Sequence, residues 1–235
     1  MMRITKHGDN LWQLTRLYAV NVYLVREVDG LTLVDTGLGG SAGEFMRAAQ
    51  EIDMPIRRIL LTHAHSDHIG SLDEIAAARP DAEIAFTERT AAFLRGEMDL
   101  LPGEPQTELR GGFELRETKA TRLIAPDDTV GSLRVVAAPG HSPDHVAFLD
   151  ERDGTLVAGD AFQTLGGIAV AGVRRWLFPF PAMATWHTPT ALRSAVSLRE
   201  LNPARLAVGH GRVIERPGDQ MDKAISDARA VVNGR

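Results

Sequence analysis

The chain contains no cysteine, which excludes disulfide scaffolds, thiolate metal sites and cysteine nucleophiles together. Any metal must therefore rest on His, Asp or Glu. No apolar run approaches the roughly 20 residues that a membrane-spanning helix needs. The opening Met1-Met2-Arg3-Ile4-Thr5-Lys6-His7-Gly8 also holds no apolar stretch of signal-peptide type. No membrane partner is expected, and the chain reads as cytoplasmic. Positive charge is in deficit, with 26 Lys and Arg against 31 Asp and Glu and a net charge of −5. That balance offers no footprint for a nucleic-acid backbone. What is present is 235 residues, 44% of them hydrophobic, enough for a real core and suited to a single domain over 1–235.

Apolar runs bounded by Gly, Asp and Pro predict strands near 11–17, 20–27 and 31–35, a small antiparallel sheet. Ser41 as N-cap, with Glu44 at its third position, predicts a helix over 41–52. A strand over 57–61 leads into Thr62-His63-Ala64-His65-Ser66-Asp67-His68, followed by a helix near 71–78 and a strand near 83–86. Segment 96–120, rich in Gly, Pro and charge, reads as an irregular connection and candidate lid. Strands near 121–124, 133–138, 145–149 and 155–158, a helix near 189–201, a strand at 205–208 and a helix near 219–232 complete a second half built like the first. Gly37-x-Gly39-x-x-Ala42 matches a dinucleotide fingerprint, but Thr62 and His63 stand where the ribose-binding acid belongs.

His63, His65, Asp67 and His68 spell HxHxDH directly after a strand. Imidazole and carboxylate are ligands for zinc and its neighbours, and an extended segment lets alternate side chains converge. Three further strands end in a Gly beside a possible ligand: Gly140-His141, Gly159-Asp160 and Gly209-His210. In order, this set resembles the metallo-β-lactamase superfamily over about residues 10–215, with Asp35 as its early aspartate.

The resemblance implies an α+β fold, a four-layer αβ/βα sandwich of two mixed sheets flanked by helices. It implies two divalent metals, Zn2+ before Mn2+ or Fe2+. His63, His65 and His141 would hold one, Asp67, His68 and His210 the other, and Asp160 would bridge. Asp35 is expected to orient ligands from behind, as is His145, which lies in the stretch Pro139-Gly140-His141-Ser142-Pro143-Asp144-His145. The implied activity is hydrolysis of a small ester, thioester or lactone by a hydroxide shared between the metals, with Asp67 as a catalytic residue. The expected types are esterase, thioesterase or lactonase, although Gln163 replaces the tyrosine of the lactonase pattern. A similar ligand set in persulfide dioxygenases binds a single iron, which makes an iron oxidoreductase the alternative. β-Lactamase and RNA-processing nuclease readings are disfavoured, by the bridging Asp160 and by the acidic charge. Phe162, Trp176, Phe178, Phe180 and Trp186 cluster after a ligand and form a candidate substrate wall, with core packing or a homodimer contact as the other reading. Nearby Arg174, Arg175 and His187 are candidate carboxylate-binding groups, although exposed cations are usually just solvated.

Overall fold

The structure, a computed structural model, describes residues 2–234. The chain divides into two compact units, one formed by residues through Glu97 with Gly112–Ala125, the other by Met98–Gly111 with the residues from Pro126 onward.

The first unit holds β1 (Arg3–His7), β2 (Leu11–Arg16), β3 (Val20–Arg26), β4 (Leu31–Val34), β5 (Ile56–Leu60), β6 (Glu83–Thr87) and β7 (Arg122–Ile124) in one seven-stranded sheet, in chain order. Strands β1 to β4 are antiparallel, and β4 to β7 are parallel. The opening strands are therefore not a small sheet of their own: Val34 pairs with Leu60, which joins them to the parallel half. Every residue of β4 is buried, the pattern of a strand covered on both faces. Around the sheet lie α1 (Ala42–Ile52), α2 (Ser66–Ile69), α3 (Leu72–Ala78) and α4 (Glu88–Leu94). Helix α1 buries Ala42, Phe45, Ala48 and Ala49 on one stripe, and full burial of Phe45 alone contributes about 2 kcal/mol.

The predicted capping box at Ser41 does not form. Ser41 Oγ instead donates to Leu38 O and accepts from Arg16, while Glu44 receives the Met2 backbone N–H. At the fingerprint the close packing falls on Gly70, where a Cβ would lie 2.5 Å from Gly39 N and 2.6 Å from Gly37 O, while Gly37 itself takes a left-handed φ of +56. The parallel strands fix the site's position, since β4 and β5 end at one edge of the sheet and ligand sites in such sheets lie beyond the carboxyl ends of strands.

The second unit holds β8 (Thr129–Val130), β9 (Leu133–Ala137), β10 (Val146–Asp150), β11 (Thr155–Val157), β12 (Phe162–Gln163), β13 (Ala169–Val170), β14 (Arg205–Ala207) and β15 (Ile214–Glu215). Its main sheet runs β15-β14-β11-β10-β9-β8, with β12 and β13 a separate pair. Only β11 and β14 are parallel. Helices α5 (Phe180–Met183), α6 (Thr188–Glu200) and α7 (Gly218–Asn233) complete it, and Ala195, Leu198, Met221 and Ala224 of α6 and α7 pack with Leu156, Phe162 and Leu206 of the strands in one apolar core. Gly140, at φ +136, is where the chain after β9 meets α6: a Cβ there would fall 2.2 Å from Ala191 N. Only glycine fits that approach.

Segment 96–120 contains neither helix nor strand, as its composition predicts. Part of it is fastened to the first unit, where Asp73 accepts from the Thr118 hydroxyl and Arg116 donates to Ile69 O. In the second unit, Thr107 O accepts the Trp186 indole N–H at 3.1 Å. Among the described residues, no helix is long and apolar enough to cross a membrane.

Candidate metal centre

Beyond β4 the chain turns at Asp35 in a left-handed conformation, φ +64, an uncommon state for a residue with a Cβ. Its backbone N–H donates to Leu60 O at 2.8 Å, which ties the ends of β4 and β5 together. The buried carboxylate accepts from Thr62 N at 2.7 Å, from the Thr62 hydroxyl at 2.8 Å and from His68 Nδ1 at 2.8 Å. A carboxylate only accepts, so His68 Nδ1 carries the proton. The Thr62 hydroxyl has given its hydrogen to Asp35, and its oxygen therefore accepts from His63 Nδ1 at 3.0 Å. Both imidazoles are thus Nδ1–H tautomers with the lone pair on Nε2, the state that outer hydrogen bonds impose on metal-binding histidines.

His65 precedes α2, with its ring edge-on to His63 at 4.7 Å and to Phe113 at 4.8 Å. Asp67 and His68 lie within α2, where Asp67 Oδ2 is 3.9 Å from His68 Nε2. The Asp67 side chain is 33% exposed, whereas His63, His65 and His68 are buried. These four are the first unit's metal-ligand candidates.

The second unit's candidates, His141, Asp160 and His210, follow β9, β11 and β14. Asp160 Oδ2 lies 3.4 Å from His141 Nε2 and 3.1 Å from His210 Nε2, so one carboxylate oxygen faces both imidazoles. Thr185 donates its hydroxyl hydrogen to Pro181 O at 2.7 Å, and its oxygen accepts from His141 Nδ1 at 3.2 Å. His141 is therefore a third Nδ1–H tautomer. His145 differs, because its Nε2 accepts the Asp160 backbone N–H at 3.0 Å. That lone pair is used, and His145 positions the Asp160 backbone.

The five aromatics read as one wall have different surroundings. Phe162 is fully buried in the apolar core, since strand alternation turns it inward and leaves the other face to Gln163. It is not a wall residue. Trp186 is buried and, with Thr185 and His187, lines a cavity of about 300 Å³ in the second unit. The Phe178 ring lies 5.3 Å from the His210 ring and 5.3 Å from Phe180. Phe180 and Trp176 are exposed.

Arg175 is held by Ile168 O and Asp227 and is not a solvated cation. Burial pushes the His187 imidazole below its usual range, and the charge of Arg193 adds to the effect. Thr62 and Thr185 were not singled out from the sequence. Thr62 abuts the His motif, which is a signal; Thr185 carries none.

The chain is 45% identical over 232 residues to the YobT protein of Bacillus subtilis (strain 168), covering 97% of this chain and 99% of that one. It is 29% identical to the probable metallo-hydrolase YflN of the same organism, over 81% of this chain and 80% of the relative. An atrochrysone carboxyl ACP thioesterase of Aspergillus fumigatus is 28% identical over 88% of this chain, which corresponds to 41% of the larger protein. Among solved structures, a metallo-beta-lactamase from Pontibacter korlensis superposes with a TM-score of 0.70 at 18% identity, covering 97% and 99% of the two chains. The pattern of the metallo-beta-lactamase superfamily matches residues 15–210, a span that takes in Asp35 and all seven candidate ligands, and the chain belongs to that superfamily.

Proposed function

We propose that this metallo-hydrolase cleaves the ester, thioester or lactone bond of a small acyl substrate at a centre of two divalent metals, zinc in the first instance. The observation that carries the reading is the shared tautomer of His63, His68 and His141, each with Nδ1–H given to an oxygen acceptor. Three imidazoles set alike, next to buried carboxylates, form a donor set suited to zinc, manganese or iron. In this reading His63, His65 and His141 hold one metal, Asp67, His68 and His210 the other, and Asp160 is shared.

Bound metals supply a water activated near neutral pH and a Lewis acid for the carbonyl. The chain's own groups do the rest. Asp67, the accessible carboxylate, takes the proton of the attacking water and returns it to the leaving group. His145 fixes the backbone of Asp160, so the shared carboxylate keeps its place. Phe178, with Phe180 against it, receives the acyl portion and excludes water beside His210. The thioesterase relative lends weight to a thioester substrate. The same reading takes a small-molecule substrate in the cytoplasm, with no nucleic-acid or membrane partner.

The test is metal content per chain, by elemental mass spectrometry on protein purified without added metal or a nickel column, followed by a panel of aryl esters, thioesters and lactones. About two zinc or manganese ions per chain, with turnover of one panel class, is the expected result. About one iron per chain with oxygen uptake overturns it in favour of the oxidoreductase.

A further inference from the structure

We infer that Gln163 is a specificity-determining residue whose side-chain carbonyl accepts a hydrogen bond from a hydroxyl on the acyl part of the substrate. Gln163 is 3% exposed and lies three residues after Asp160, on the face of β12 opposite the core residue Phe162. Its Nε2 donates to Phe178 O at 3.3 Å, and the Phe178 ring rests against His210. Its Oε1 is buried without a hydrogen-bond partner among the described residues. The amide orientation is fixed by its neighbour, since a flip would set Oε1 against the Phe178 carbonyl and oppose two acceptors.

A buried acceptor left unmet is rare in native structures and costs stability unless something meets it. Here the amide that carries the acceptor is bonded to the backbone of the residue whose ring flanks His210, and it lies close in the chain to Asp160. A ligand hydroxyl meets it with one bond, whereas an amide would bring a carbonyl needing a donor of its own. The ligand class is therefore an acyl compound hydroxylated near its carbonyl. A site built around such a bond rejects the analogue that lacks it far more strongly than an apolar pocket rejects a methylene.

The inference rests on the proposed reading only in taking the Asp160 and His210 edge as the place where substrate binds. Its test therefore measures binding and not turnover. Zinc-reconstituted protein is titrated calorimetrically with octanoate, 2-hydroxyoctanoate and 3-hydroxyoctanoate, and the titrations are repeated with Gln163→Met and Gln163→Leu. One hydroxy acid is expected to bind at least about tenfold tighter than octanoate. In both variants that preference is expected to fall to within about twofold, with melting temperatures no more than about 4 °C below wild type, because only the bond from Gln163 Nε2 to Phe178 O is lost.

Equal affinities in the wild type, no binding of any acid, or a preference that survives in a folded variant overturns the inference. A melting temperature lowered by more than about 4 °C in both variants also overturns it, since Oε1 would then be met within the protein or by a resident water. A protein that shows the preference but hydrolyses no hydroxyacyl ester sinks the hydrolase reading and leaves this one standing.

Discussion

The two sheet edges assemble their candidate ligands by different means. In the first unit the ligands come from one short stretch, His63 to His68, and a single carboxylate stands behind two of them: Asp35 holds His68 directly and His63 through the Thr62 hydroxyl. In the second unit three separate strand ends each deliver one candidate ligand, and two of these have a support of their own: Thr185 behind His141, and the His145 ring under the Asp160 backbone. A shared outer partner makes the first set a coupled network. The second set is a collection of local anchors that depend on how closely the backbone packs. Coupled residues give non-additive mutational effects and separate ones give additive effects, so the difference is measurable.

The largest effect is expected from Asp160→Ala, which removes the carboxylate facing both His141 and His210. Metal content and kcat/KM should fall by more than about a hundredfold, beyond the range of outer-partner substitutions, with the circular dichroism spectrum retained, and His65→Ala should behave likewise. Full activity in either variant contradicts the ligand assignment. Next, Asp35→Asn should weaken metal affinity about 10- to 100-fold. Combined with Thr62→Val it should cost little more than Asp35→Asn alone, whereas combined with Thr185→Val the two losses should multiply. Titrating the variants against a chelator gives both cycles, and additivity in the first would dissolve the contrast between the edges.

A backbone probe comes third. Gly140→Ala forces a Cβ to within 2.2 Å of Ala191 N, and urea denaturation should show a loss of at least about 2 kcal/mol. The smallest effect concerns Asp73. Burial alone would raise its pKa, but the hydroxyl and amide of Thr118 and the amide of Glu117 outweigh that and lower it. A carboxyl lowered in the folded state contributes stability above its unfolded pKa and loses it as pH falls through the folded value. Asp73→Asn should therefore cost about 1 kcal/mol at neutral pH, and the difference from wild type should shrink below about pH 4.

The candidate ligands are more legible in the sequence than the residues that support them, for physical reasons. His63, His65, Asp67 and His68 stand out because three imidazoles and a carboxylate within six positions after a strand have few uses other than binding metal. Helix α7 stands out through its apolar stripe of Met221, Ala224, Ile225 and Ala228. Thr185 is a common residue in a loop, and its contact with His141 spans 44 positions, so no local pattern announces it. The pair β12–β13 is too short for period-two alternation to register, which is why Phe162 read as substrate wall although it faces the core. Ser41 does precede a helix, yet its hydroxyl is engaged by Leu38 O and Arg16, a tertiary choice that overrides the local capping signal.

Asp35 also bears on how such a chain can change over generations. Its two oxygens must both accept, Oδ1 from the Thr62 backbone N–H and Oδ2 from both the Thr62 hydroxyl and His68 Nδ1, and an asparagine would turn an amide N–H toward one set of those donors. The histidine loop is thus held by a residue 33 positions before His68, outside the loop itself.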